Sequence, residues 1–383
     1  MWPGRAHPGR NVSRMTNLLH KHDDTLPELG QSSTRSVLRH SRRTGAAWII
    51  ALTCALAVAV AAATTVGAVA IPPGQVLHVL AHHLFGASLD GVAEPTRVIV
   101  WQVRLPRVVL GVVAGAGLAV AGVALQVVVR NVLADPYVLG VNSGASVGAA
   151  CALLFGAGVG LGEYALQSSA FAGALIAAAL VVTVARGAGQ LTSNRLLMAG
   201  VAVGYALSAA TSFLVFASDS AEGSRSVMFW LLGSLNLAAW NGPLAAATIA
   251  VCLGIIALWV LSRPLDALAV GDDTALSLGV SPTVMRGALL VITSLLVGAV
   301  VAEAGSIGFV GLVVPHLARR MVGGRHAVVV PAAALLGATL MVVADVAART
   351  VLAPQEIPIG VVTALVGTPL LLVLVRRMRS TAH

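Results

Sequence analysis

The chain is 383 residues long, 57% hydrophobic and only 10% charged, with a mean hydropathy of +0.90. So few polar side chains cannot cover a core of this size in water, which excludes a soluble domain. The formal charge of +9 comes mainly from arginines in tails and loops between apolar runs. That pattern sets membrane orientation and gives no footing for nucleic acid.

Residues 1–44 are polar and basic without sustained apolar periodicity, which predicts a disordered cytoplasmic tail. The apolar run from Ala46 to about Ala70 is too long for the core of a cleaved signal and reads as the first span. Residues 72–102 read as a segment outside the lipid, with an amphipathic patch around Val76–Leu84. Its His78, His82 and His83 suit a wetted interfacial helix better than a metal site, because no carboxylate is near in sequence. Val108–Val129 is 22 residues without a charge, enough to cross ~30 Å of hydrocarbon as a helix. Arg104 and Arg107 stand at its start, and a polar turn from Arg130 to Pro136 at its end.

Further spans are expected at about 137–160, 170–185, 196–216, 244–261, 287–301, 309–321, 327–343 and 359–375, which makes about ten. The apolar part of 226–240 is too short to cross and predicts a re-entrant helix, with Trp230 and Trp240 at an interface. Cys54, Cys151 and Cys252 lie far apart in apolar runs and read as small buried hydrophobes. On the span from 196 to 216, Gly200, Gly204 and Ser208 share one helix face, which permits close helix approach or a wide path.

With both termini cytoplasmic, about 19 of the 24 Lys and Arg residues fall inside. Among the exceptions, Arg104, Arg107 and Arg349 border Pro-containing segments and suit a basic ring that recognises carboxylates on an external protein. Glu303 and Asp345 stand at span ends, where solvated positions are expected; ion-coupled secondary transport is the alternative class they leave. The only lysine, Lys21, lies in the tail, so no phosphate-binding loop ending in Lys-Ser/Thr exists. No HExxH or workable GxSxG appears either, and nothing supports an enzyme. Energy for transport must then enter through another chain. The hydrophilic stretch 262–286 suits that role: Asp272 and Asp273 cap a short helix through Leu278, Gly279 stops it, and Ser281-Pro282 restarts the chain. A compact two-helix knob is predicted there.

Arg104-Leu-Pro-Arg107, Gly115-Ala-Gly-Leu-Ala119, Gln126 and Arg130-Asn-Val-Leu-Ala-Asp-Pro136 come in a telling order. Leu278-Gly-Val280, the Gly305–His316 stretch, Asp345 to Arg349 and Pro358-Ile-Gly-Val-Val-Thr363 follow. Over about residues 50–378 this series resembles the FecCD-like permeases, membrane subunits of ABC importers for ferric siderophores, haem and cobalamin. The resemblance implies an all-α polytopic membrane protein with the BtuC-like type II ABC importer permease fold, about ten transmembrane helices and a re-entrant helix. It implies a permease domain over 45–379 with a cytoplasmic coupling loop at 262–286, in the cell membrane. Its partners would be a second permease copy (homodimer or close heterodimer), an ABC ATPase subunit inside, an extracytoplasmic substrate-binding protein and membrane lipid. No cofactor, metal or nucleic acid is implied, and ferric siderophore comes first as cargo, ahead of haem and cobalamin.

Carried over residue by residue, binding-protein docking falls on Arg104, Arg107 and Arg349, and the cytoplasmic gate on Asn131 and Leu133. ATPase coupling falls on Leu265, Gly271, Ala275, Leu278 and Gly279, and the path lining on Gly200, Gly204 and Ser208. Val132 stands where the family has proline, which removes a backbone constraint from the gate turn. Gly323 to His326 lacks an acid that the family carries.

Overall fold

The computed structural model describes residues 29–67, 69–88, 91–187 and 191–380. The chain divides into two compact units, Met1–Ala47 and Trp48–His383. Most of the tail expected over 1–44 lies outside the described residues, but helix α1 (Leu29–Thr65) begins inside it. Every regular element among the described residues is helical.

After α1 come α2 (Pro73–Phe85) and the long α3 (Glu94–Val129). Helix α3 starts well before the charge-free stretch at Val108 because Pro106 does not end it. Proline has no N–H to give and its ring collides with the carbonyl four residues back. A π-helical turn over Ile99–Arg104 widens the helix just upstream, and the Leu105 N–H reaches back to the Val100 carbonyl.

Helices α4 (Val141–Phe155), α5 (Ala165–Gly187) and α6 (Ser193–Phe216) form one packed group. The short α7 (Ala221–Leu231) covers only the first part of the 226–240 stretch read as a re-entrant helix, residues 232–240 being non-helical, and α8 (Gly242–Val260) follows. The knob is two helices, α9 (Ser262–Val270) and α10 (Asp272–Ser277). Then come α11 (Pro282–Ala304), α12 (Val310–Val322), α13 (His326–Thr350) and α14 (Ile359–Ser380).

The expected spans all fall on helices, but they are not equal. Seven helices are long and apolar enough to cross a membrane, α4 and the 359–373 part of α14 are shorter apolar helices, and α12 belongs to neither set. Helix α12 has only 13 residues, with Arg319 and Arg320 in its last turn.

Helix α3 is the axis of the body: 89% of its most apolar window is buried, against α8, α11, α12 and α13. Lipid tails are as apolar as leucine, so helices in a membrane associate through close packing of small residues. A Cβ on Gly122 would stand 1.9 Å from the Gly311 carbonyl of α12, and one on Gly115 would stand 2.2 Å from the Gly337 carbonyl of α13. Gly122→Val should therefore lower stability by about 1–3 kcal/mol through overpacking. Gly287→Ala, with open space around it, should be neutral or slightly stabilising. Thermal unfolding in detergent checks both; equal midpoints would discount the close crossing. The cysteine expectation needs correcting, since Cys54 and Cys252 are exposed. Helices facing lipid carry apolar residues on their outer faces too.

Candidate functional site

Two charged clusters sit on α3, one around Arg104, ten residues into the helix, and one at Arg130, which caps its far end, about 39 Å apart at 1.5 Å per residue.

In the first, Arg104, Arg107 and Arg349 do gather, but buried, at 5%, 8% and 8% exposure. Arg104 donates to the carbonyls of Thr64 and Thr65 at 2.9 Å each, and to that of Val69. Arg349 donates to the Ala63 and Val66 carbonyls at 3.2 Å. These acceptors are the last carbonyls of α1 and its exit, which lack intrahelical partners and carry the negative end of the helix dipole. Arg107 gives its Nε to Asp345 at 2.7 Å and its Nη1 to Glu356 at 3.0 Å, while Arg349 Nε lies 3.0 Å from the other Asp345 oxygen. The ring expected to meet a binding protein is thus buried, and within the chain it is an internal anchor that joins α1, α3 and α13. Asp345 and Arg349, four apart on α13, already form a pair by helical spacing.

The solvated positions expected for Asp345 and Glu303 are also corrected, since they are 2% and 8% exposed. Asp345 is held by its arginines, whereas Glu303 Oε1 is buried without a hydrogen-bond partner. Glu303 borders a cavity of about 480 Å³ together with Arg107, Glu356, Phe229, Trp230 and Asn236. Nearby, His83 stacks on Trp101 with ring centres 3.8 Å apart, and Trp240 donates to the Trp101 carbonyl at 2.7 Å. His82 and His83 of α2 belong to an aromatic seam, and His82 bonds the Ala87 carbonyl at 2.7 Å.

At the other end, Arg130 takes a left-handed conformation (φ 53°) and starts the turn that holds Asn131 and Leu133. The Leu133 N–H donates to Asn131 Oδ1 at 2.9 Å, so a side-chain turn supplies the constraint that Val132 does not. Asp135 accepts the Tyr137 N–H at 2.9 Å; burial raises its carboxyl above the usual range, opposed by the N–H groups of Tyr137 and Phe309. The Tyr137 hydroxyl donates to the Ile307 carbonyl at 2.9 Å and accepts the Ile307 N–H at 2.7 Å. That bond fastens the turn to the break between α11 and α12. Deeper in, Gln126 donates to the Leu312 carbonyl at 3.1 Å and accepts from Arg319, which anchors α12 on α3.

The knob meets this turn through Asp272. Arg286 of α11 donates to both Asp272 oxygens, at 2.8 and 3.1 Å, and Arg130 donates to Oδ1 as well. Asp266 of α9 accepts the His326 N–H at 2.9 Å and pairs with His326 Nδ1 at 2.6 Å, tying the knob to α13. Of the expected coupling residues, Leu265 and Ala275 are fully buried and pack inside the knob. Leu278 is 66% exposed, Gly279 (φ +76°) is exposed beside it, and Gly271 is half-buried. Val270 and Leu276 are exposed apolar residues that the sequence reading passed over, because helix register alone did not say which face the knob turns outward.

The face of α6 meets its neighbours at Gly200 and Gly204 and is exposed at Ser208. A Cβ on Gly200 would stand 2.0 Å from the Val138 carbonyl, Gly204 faces Gly140, and Ser208 bonds Ser143 at 3.2 Å. Close approach is what this face provides within the chain.

The chain is 43% identical over 286 residues to the cobalamin import system permease protein BtuC of Halobacterium salinarum, across 75% of each chain. It is 35% identical over 346 residues to the vitamin B12 import system permease protein BtuC of Escherichia coli, across 90% of this chain and 99% of the other. Its fold matches a solved structure described as an inward-facing conformation of a metal-chelate type ABC transporter, with a TM-score of 0.75 and 32% identity, over 86% of this chain and 98% of that one. The FecCD transport family model matches residues 55–377, nearly all of the helical body built around α3, and the chain belongs to that family.

Proposed function

We propose that this permease is the membrane subunit of an ATP-driven importer of metal chelates, working as a pair of copies with a separate ATPase and a separate substrate-binding protein. The observation that carries the reading is the knob. It is a compact two-helix projection with exposed Val270, Leu276 and Leu278, ion-paired to the turn after α3, in a chain with no nucleotide loop of its own. The knob end is assigned to the cytoplasm and the arginine end to the outside, with both termini cytoplasmic, in line with where positive charge accumulates. The transport cycle is alternating access: nucleotide-driven motion of the ATPases moves the knob, and the gate turn at Asn131 and Leu133 opens or shuts.

Of the three arginines only Arg107 borders the outer cavity, so docking through this cluster runs by exchange of Glu356 for a carboxylate of the binding protein. For cargo we take a cobalamin-type corrinoid first, since two relatives are named for cobalamin or vitamin B12, with ferric siderophore and haem behind it. The test is uptake into proteoliposomes holding the permease, its ATPase and its binding protein, offered labelled cyanocobalamin, a ferric hydroxamate and haem in turn. Accumulation that needs enclosed ATP supports the reading, and the cargo that accumulates names the substrate.

Glu303, buried and unpaired beside the cavity, favours one other reading, ion-coupled transport. It requires uptake into ATP-free vesicles on an imposed ion gradient, abolished in Glu303→Gln.

A further inference from the structure

Asp272 is the one carboxylate, among the described residues, through which the knob grips the gate turn. It is the first residue of α10, and its oxygens are shared by two arginines from different elements. Arg130 is the left-handed residue that caps α3 and turns the chain into the gate, so its contact to Asp272 lies one residue from Asn131. Arg286 is 3% exposed on α11, and its Nη1 reaches the Leu191 carbonyl, at 3.4 Å, just ahead of α6. One side chain of the knob therefore holds the gate turn, α11 and the lead into α6 together. The second tie, Asp266 to His326, reaches only α13, which does not carry the gate turn.

We infer that Asp272 is the positioning residue that transmits motion of the α9–α10 knob to the gate turn at 130–133. This rests on the importer reading above. Two features make the contact suited to transmission rather than to holding the fold. Its arginines differ in burial: the Arg286 side chain is 4% exposed and the Arg130 side chain 37% exposed, so one partner is fixed in the body and the other is free to follow. The Asp272 side chain is itself 40% exposed, so it stands at the rim of the body. The rim carboxylate keeps its hold on the buried Arg286, whose one ion pair among the described residues it supplies, and on displacement it is the exposed Arg130 contact that is free to exchange. A deeply buried pair resists such exchange, because separation exposes the full desolvation penalty.

The experiment uses the whole reconstituted complex of permease, ATPase and binding protein. Cys54, Cys151 and Cys252 are replaced by alanine, and Val132→Cys, at a position 43% exposed in the turn, serves as reporter. Two quantities are read: ATP hydrolysis, and the rate at which the introduced thiol reacts with a membrane-impermeant maleimide, with and without nucleotide and vanadate. In the parent, nucleotide changes the labelling rate. With Asp272→Asn, hydrolysis stays within about twofold of the parent, while the nucleotide effect on labelling falls by about tenfold, the scale of a typical coupling between sites. Asp272→Glu restores the nucleotide effect, whereas Asp273→Asn, at the exposed neighbour, leaves both readouts as in the parent.

Full nucleotide-dependent labelling in Asp272→Asn would overturn the inference and leave the importer reading standing. Loss of ATPase co-purification in that variant would also overturn it, since Asp272 would then only shape the knob. A parent complex that moves cargo without hydrolysing ATP would bring down both together.

Discussion

Replacing Arg107 with leucine is expected to destabilise the permease by about 3–5 kcal/mol, the range for removing one partner from a buried ion pair. The cluster's ion pairs set two guanidinium groups, Arg107 and Arg349, against two carboxylates, Asp345 and Glu356, while Arg104 bonds backbone carbonyls. Without Arg107, Asp345 stays at 2% exposure with Arg349 as its remaining cation, and Glu356 loses its only ion-pair partner among the described residues. Glu356→Gln is the informative comparison. Its side chain is 37% exposed, so solvent already screens the pair and about 1 kcal/mol or less should be lost. Unfolding midpoints in detergent should therefore rank Arg107→Leu far below Glu356→Gln. Two small and equal losses would mean that the cluster is not an anchor. The same geometry changes how a docking experiment is read. Arg104→Glu or Arg107→Glu removes a buried anchor as well as any surface charge, so lost uptake bears on docking only where the unfolding midpoint is kept.

The parts of this architecture legible from sequence were those with a strong one-dimensional signal. Charge-free runs gave the spans, and Gly279 with Ser281-Pro282 gave the break after the knob's second helix, which the structure places at Asp272–Ser277. The spacing of Asp345 and Arg349 allows their pairing too, but the sequence reading set Asp345 in solvent and Arg349 in a docking ring. Burial of the arginines was not legible, because it depends on where α1 ends. Its last carbonyls at Ala63 to Val66 lie some 40 residues before Arg104 and nearly 300 before Arg349, and only tertiary packing brings them together. The start of α3 was misplaced for a local reason: Pro106 reads as a helix boundary, and nothing in the composition announces the π-helical turn that absorbs it. Asp272 was read as a helix cap because its arginines are 142 and 14 residues away.

The knob's outward face carries the other large expected effect. Leu276→Asp combined with Leu278→Asp should abolish co-purification with the ATPase, a loss of at least about 2 kcal/mol, or roughly thirtyfold in affinity. Val270, Leu276 and Leu278 are exposed at 75%, 58% and 66% on a loop that is otherwise hydrophilic. Exposed apolar side chains are ordinary where lipid covers them. These sit beside Asp272, Asp273 and Arg286, in a stretch too polar to enter hydrocarbon, so a protein partner is the surface that can cover them. Because they point away from the body, the double substitution should leave unfolding unchanged. Leu265→Ala gives the opposite result. That residue is fully buried beneath the knob, so the truncation should lower stability by about 2–5 kcal/mol through the cavity it leaves, and should weaken ATPase binding only as far as the knob loosens. Full co-purification by the double aspartate variant would show that the ATPase grips the permease elsewhere, and the route from nucleotide to gate would then have to start from another surface.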